Sequence, residues 1–172
     1  MSIPYKILQL DRERKMKFGH KALDLAQTLT GKKAGEIAFE VSQYNIQVLD
    51  KLIYAGLRQD DPSPEFTKEK LQDILDEHTD NIFEVLDAVV ELFFDCIGYT
   101  KRNQADSGGD GGEIWDIRRD IEAGIPIALG HGIKTEEFLE MSPYEFRVSI
   151  EQFEKRRNED LWVQSWRTAY LN

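Results

Sequence analysis

The stretch "NIFEVLDAVVELFFDCIGY", residues 81–99, is apolar at nearly every position except Glu84, Asp87, Glu91 and Asp95. On a helix, residues three or four apart share a face, so the four carboxylates form one narrow acidic stripe. The rest of the circumference is greasy. Such a helix must be covered on most sides, which places it at the centre of a helical fold. The cover is either the rest of its own domain or another chain, and Phe93 and Phe94 stand where a second chain would meet it. The same carboxylates argue against a membrane span.

Working back from this helix, the break "DDPSPEF" (60–66) is followed by Thr67, which can cap a helix, with Phe66 and Leu71 at the two positions of a hydrophobic staple. Before the break, residues 42–59 place Leu49, Leu52, Ile53 and Leu57 on one face, with Asp50, Lys51 and Arg58 elsewhere. Leu49, Leu52 and Ile53, together with Phe93 and Phe94, are the candidate surface for self-association or client binding. Earlier still, Ala22, Leu25, Ala26 and Leu29 recur at helical spacing from His20 to Thr30, and Gly31 is placed to end that helix. At the start, "YKILQL" (5–10) and "RKMKF" (14–18) alternate at period two, turning Met16 and Phe18 away from Lys15 and Lys17. That is a β-hairpin. The fold class expected is mainly α, a small N-terminal hairpin followed by a helical domain.

Beyond Thr100 the pattern stops for "KRNQADSGGDGGE" (101–113), polar and glycine-rich, the composition of a flexible tether. A phosphate-binding loop would need lysine and Ser or Thr after its last glycine, where Glu113 and Ile114 stand. A calcium loop starting at Asp106 has Asp110 and Gly111 in place, but Gly108 and Ile117 where oxygen ligands belong. The stretch reads as a linker dividing residues 1–100 from a second small helical domain, 114–172. In that second part Trp115, Ile121 and Ile125 suggest a helix disturbed by Gly124 and Pro126, and Thr135 can cap "TEEFLEM" (135–141). In "MSPYEF" (141–146), Ser142 suits an N-cap, Pro143 the first helical position and Glu145 the third, a capping box with Met141 stapled on Phe146. Phe146, Ile150 and Phe153 then line an inner face. Past "EKRRNED" (154–160), Trp162, Trp166 and Tyr170 make a second stripe, on the same helix or a further one, and serve either as core or as a docking surface.

The 172 residues carry 22 Lys and Arg against 32 Asp and Glu, a net charge of −10. Both nucleic acid and an anionic membrane need a basic face, so neither is an expected partner. The lone Cys96 excludes a disulfide framework and a multi-cysteine zinc site within this chain, and with no signal peptide in "MSIPYKILQLDRERKMKF" (1–18) the expected location is the cytoplasm. His20, His78 and His131 fall in different elements, without metal-ligand spacing, and read as surface histidines. No catalytic residue, no metal site and no cofactor is expected.

The order of parts, a hairpin ending in "FG" (18–19), a helix, "LDKLIYAGL" (49–57), an acidic break, a polar tether and then "FLEMSPYEFRVSIEQFEKR" (138–156), resembles the tail assembly chaperones of long-tailed bacteriophages. It is closest to their fused, frameshift-extended form, with residues 5–100 resembling the first domain and 114–171 the second. The resemblance implies a non-enzymatic protein of phage or prophage that self-associates and acts in the host bacterial cytoplasm. Its first domain would coat the tape measure protein, and its second would recruit tail tube subunits through Trp162, Trp166 and Tyr170. Such a protein would be absent from the mature virion. The alternative is a bacterial helical adaptor or regulatory module unrelated to phage, which uses the same C-terminal aromatic stripe for docking.

Overall fold

The computed structural model describes residues 5–79, 81–98 and 115–170, with side chains through Trp162. The fold is mainly α with a small antiparallel hairpin, as the periodicities predict. Strands β1 (Lys6–Gln9) and β2 (Glu13–Met16) pair in the register Lys6 with Met16 and Leu8 with Arg14. The inward side chains are Leu8, Arg14 and Met16. Arg14 is buried because its charge is matched: Nε donates to Asp11 at 2.6 Å and Nη1 to Asp61 at 3.1 Å, while its guanidinium lies 4.8 Å from the centre of the Phe66 ring. A buried charge is tolerable only when paired in this way.

Helix α1 (His20–Thr30) ends as expected at Gly31, whose φ of 69° lets its N–H return to the Gln27 carbonyl. Helix α2 (Ala34–Ser42), which the sequence does not announce with a capping residue, follows at once and buries Ala34, Ile37 and Val41. Helix α3 (Ile46–Leu57) starts later than residue 42, because Tyr44 turns the chain at a φ of 54° and the Asn45 side chain caps the new helix at Gln47 N–H. Helix α4 (Lys68–His78) is capped by Thr67, whose hydroxyl accepts from Lys70 N–H at 3.2 Å; Phe66 and Leu71 are both buried, as a staple requires.

Helix α5 (Ile82–Ile97) is covered by its own chain. Its buried face of Val85, Leu86, Val89, Leu92, Phe93 and Cys96 packs against α2, α3 and β1, its length also meets the helix that begins at Pro143, and Glu84, Asp87, Glu91 and Asp95 are exposed. The surface expected for self-association is therefore interior. Leu49, Leu52, Ile53 and Phe93 are fully buried in one contiguous core, Phe93 edge-on to Phe18 at 5.7 Å, and Phe94 is half-buried against that core. A small domain meets its own need for apolar cover first.

Helix α6 (Ile117–Gly130) is not interrupted by Gly124 and Pro126. Asp116 caps it, and the helix carries Pro126 although the ring removes one N–H and crowds the carbonyl of Glu122 one turn back. Helix α7 (Thr135–Glu140) begins at Thr135 itself, with Lys134 at the cap position and no side-chain cap, so the capping role expected of Thr135 is not realised. One helix, α8 (Pro143–Tyr170), carries both C-terminal stripes.

The glycine-rich linker lies outside the described residues, but the parts on either side of it are docked. Ile117 belongs to the same core as α1 to α5, with Trp115 and Ile121 packed against it. Gln27, buried on α1, organises this joint. Its Oε1 accepts from Ala34 N–H at 2.8 Å and Ile117 N–H at 3.0 Å, and its Nε2 donates to Asp116 at 3.0 Å. Gly35 N–H adds a bond to the Trp115 carbonyl, and Arg118 pairs with Asp24 at 2.7 Å. A second joint forms where Gly19 meets the end of α7: a Cβ on residue 19 would lie 2.4 Å from the Glu140 carbonyl oxygen, so only glycine allows this approach.

Candidate functional site

The start of α8 is fixed by the capping box that its sequence spells. Ser142 N–H donates to Glu145 Oε2 at 2.6 Å, and Glu145 N–H donates to Ser142 Oγ at 3.2 Å. Pro143 occupies the first helical position, and Ser142 is fully buried. Lys17 of the first part reaches Glu145 at 3.1 Å, tying the cap to the residue after β2. Phe146 and Ile150 then pack on a small second core of Ala128, Ile133 and Phe138.

There the packing stops. The residues from Glu151 through Trp162 are all exposed. Phe153, expected on the inner face, is exposed, with the His131 ring at 5.8 Å and Ile127 and Gly130 lining the same shallow hollow. Trp162 lies twelve residues beyond Ile150, about 18 Å along a straight helix, and is 69 % exposed. It does not fold back on Phe146 and Ile150. Leu161 beside it is exposed as well. The backbone continues as helix through Trp166 to Tyr170, whose side chains lie outside the described set. The helical backbone runs on for about 30 Å past Ile150, and its side chains from Glu151 to Trp162 form an exposed arm.

The titratable groups inside the fold serve the joints. His20, expected at the surface, is buried between α1 and α7. Its backbone N–H donates to the Met141 carbonyl at 2.8 Å, and its Nδ1 lies 2.7 Å from the same oxygen and 3.2 Å from the Phe138 carbonyl. The ring packs on Phe138, centroids 4.4 Å apart. Burial holds its pKa below the ordinary 6.5 despite those carbonyls, so it sits neutral as a hydrogen-bonded wedge. Burial pushes the Cys96 thiol up to about 12, which suits a core residue rather than a nucleophile. Among the described residues no three His, Cys, Asp or Glu side chains come together as a metal site would require, and no helix is long and apolar enough to cross a membrane. His78 has Glu77 at 3.8 Å on the surface, and the Nδ1 of His131 lies 2.8 Å from the Ile127 carbonyl.

The feature that sequence reasoning missed is the pair of joints. Gly19, His20 and Gln27 carry no periodic signal: His20 and Gln27 bond to residues some ninety or more positions away, and Gly19 lies against the Glu140 carbonyl. Comparison with protein-family models, curated proteins and solved structures finds no match for the chain.

Proposed function

We propose that this chain is a non-enzymatic tail assembly chaperone of a long-tailed phage or prophage, with the α8 arm as the element that recruits tail tube subunits while the rest of the chain holds the tape measure protein. The observation that carries this reading is the exposed arm. An aromatic as large as Trp162, left in water well along a helix whose first turn is fixed by a capping box, favours a partner, because burying it there would contribute roughly 1.5–3 kcal/mol. Trp166 and Tyr170 follow at the same helical spacing. A helix already formed also loses less conformational entropy on binding than a segment that must fold.

One observation favours the adaptor reading instead. The two parts are docked through Gln27 and His20, which fits one body with a projecting docking helix better than two parts working on a tether. Capture separates the two. The immobilised full chain should retain the tail tube protein encoded beside it, and Trp162→Ala should lose it without changing thermal unfolding. Failure of the wild type to retain the tube protein, with no tube or tape measure gene in its neighbourhood, removes the chaperone reading.

A further inference from the structure

Apart from Trp162, the most exposed large apolar side chains among the described residues are Phe39 (67 %), Phe83 (66 %) and Ile46 (64 %). They belong to elements that meet. Phe39 lies in the last turns of α2, Ile46 opens α3, and Phe83 is in the first turn of α5, which packs on both. Tyr44, in the corner between α2 and α3, donates its hydroxyl to Asp87 at 2.8 Å, and Asp87 is one turn along α5 from Phe83. Tyr44 stands in the left-handed region at a φ of 54°, which a bulky side chain adopts only where its surroundings hold it. Here the holding bonds are its N–H to the Val41 carbonyl and its hydroxyl to Asp87, and the result is an aromatic ring kept at the surface. The exposed carboxylates of Glu84 and Asp87 border the same place.

We propose that this surface, Phe39, Tyr44, Ile46 and Phe83 rimmed by Glu84 and Asp87, docks an amphipathic helix of a partner protein that carries lysine or arginine beside its apolar stripe. The occupant is a helix because the surface is made of helices whose backbone groups are already paired. An extended strand would find no ladder to join, whereas a helix arrives with its own backbone satisfied. The rim selects the charge: carboxylates attract Lys and Arg and repel an acidic helix. The proposal uses no residue of the arm and does not rest on the phage reading.

The test is binding of the full chain to a fluorescent leucine and lysine helical peptide about 18 residues long, beside the same peptide with glutamate for lysine. The lysine peptide should bind at least about tenfold tighter than the glutamate peptide. Phe83→Ser, which leaves the charge unchanged, should weaken it by about tenfold, and Trp162→Ser should not. Phe39→Ser provides a second reading at a separate exposed position should Phe83→Ser lower thermal stability. Equal affinity for the two peptides overturns the proposal, as does undiminished binding by both Ser variants, which would mean that charge alone holds the peptide. Concentration-dependent self-association abolished by Phe83→Ser also overturns it, since the surface would then belong to a second copy of this chain.

Discussion

Replacing Gln27 by alanine should loosen the whole joint between the two parts of the chain. The side chain accepts from the N–H groups of Ala34 and Ile117, both in residues almost fully buried. Alanine leaves these two donors without partners, each worth roughly 1–3 kcal/mol. Release of a long side chain from its fixed rotamer offsets about 1.5–2 kcal/mol, and a water entering the space could restore part of the bonding. A net loss of about 2 kcal/mol, the middle of that range, follows, which for a chain of this size lowers Tm by roughly 4–8 °C. Trp115 sits at the joint, so a background with Trp162 and Trp166 changed to phenylalanine makes its fluorescence the local probe. Gln27→Glu keeps an acceptor but turns a carboxylate towards Asp116 in place of the N–H that donates to it. That bond is the main cause holding the Asp116 carboxyl below its ordinary range, so the glutamate variant should be weakest near neutral pH and recover as pH falls and one carboxyl takes a proton. Gln27→Ala with a Tm within about 1 °C of wild type, and unchanged Trp115 emission, would refute the view that this side chain holds the joint.

Other outcomes follow from the same geometry. Because burial keeps the folded-state pKa of His20 below 6.5, the unfolded chain takes up its proton first, so stability is complete above pH 6.5 and declines as pH falls below it; His20→Gln should flatten that slope in denaturant titrations, and an equal slope in the variant would exclude His20 as its source. Gly19→Val should cost about 1–3 kcal/mol by forcing the Glu140 carbonyl away, read as a lower denaturation midpoint, and an unchanged midpoint would mean the close approach is not maintained in solution. Trp162→Ala should leave stability within about 0.5 kcal/mol, whereas a loss several times larger would place the ring in a core. A protease site inserted between Lys101 and Glu113 should give fragments that still co-elute on size exclusion, and fragments that separate at micromolar concentration would show the shared core to be too weak to join them.

Much of the fold was legible because it rests on local rules. Alternation exposed the hairpin, Gly31 marked the end of α1, Thr67 and Ser142 announced their helices, and the acidic stripe of α5 fixed which of its sides faces water. Helix α2 escaped although Ala34, Ile37 and Val41 are helically spaced, because it starts on Lys33, which lacks the short acceptor side chain that signals a cap. Leu49, Leu52, Ile53 and Phe93 show the limit of periodicity: it says which side chains must leave water, not whether the cover is the same chain. In the second part, Gly124 and Pro126 suggested a disturbed helix that instead continues, since Gly124 lies against Phe138 and Ala128 is buried beside it, and this packing offsets the lost N–H and the crowding that proline brings. The exposed arm could be read as a stripe but not located. Whether Trp162 reached back to Ile150 depended on the helix staying straight, and the run from Glu151 to Asp160 contains no residue that would bend it.

The bond between Gln27 and Ile117 also sets an order in time. A ribosome adding about 5–20 residues per second completes the helix ending at Ile97 roughly one to four seconds before Ile117 is joined to the chain. During that interval Gln27 can already hold Ala34, but the apolar seat that Ile117 will fill stands open to whatever is nearby. The newborn first part must therefore be stable enough to wait, and a translation product that stopped short of Trp115 would keep that seat open for the whole of its life.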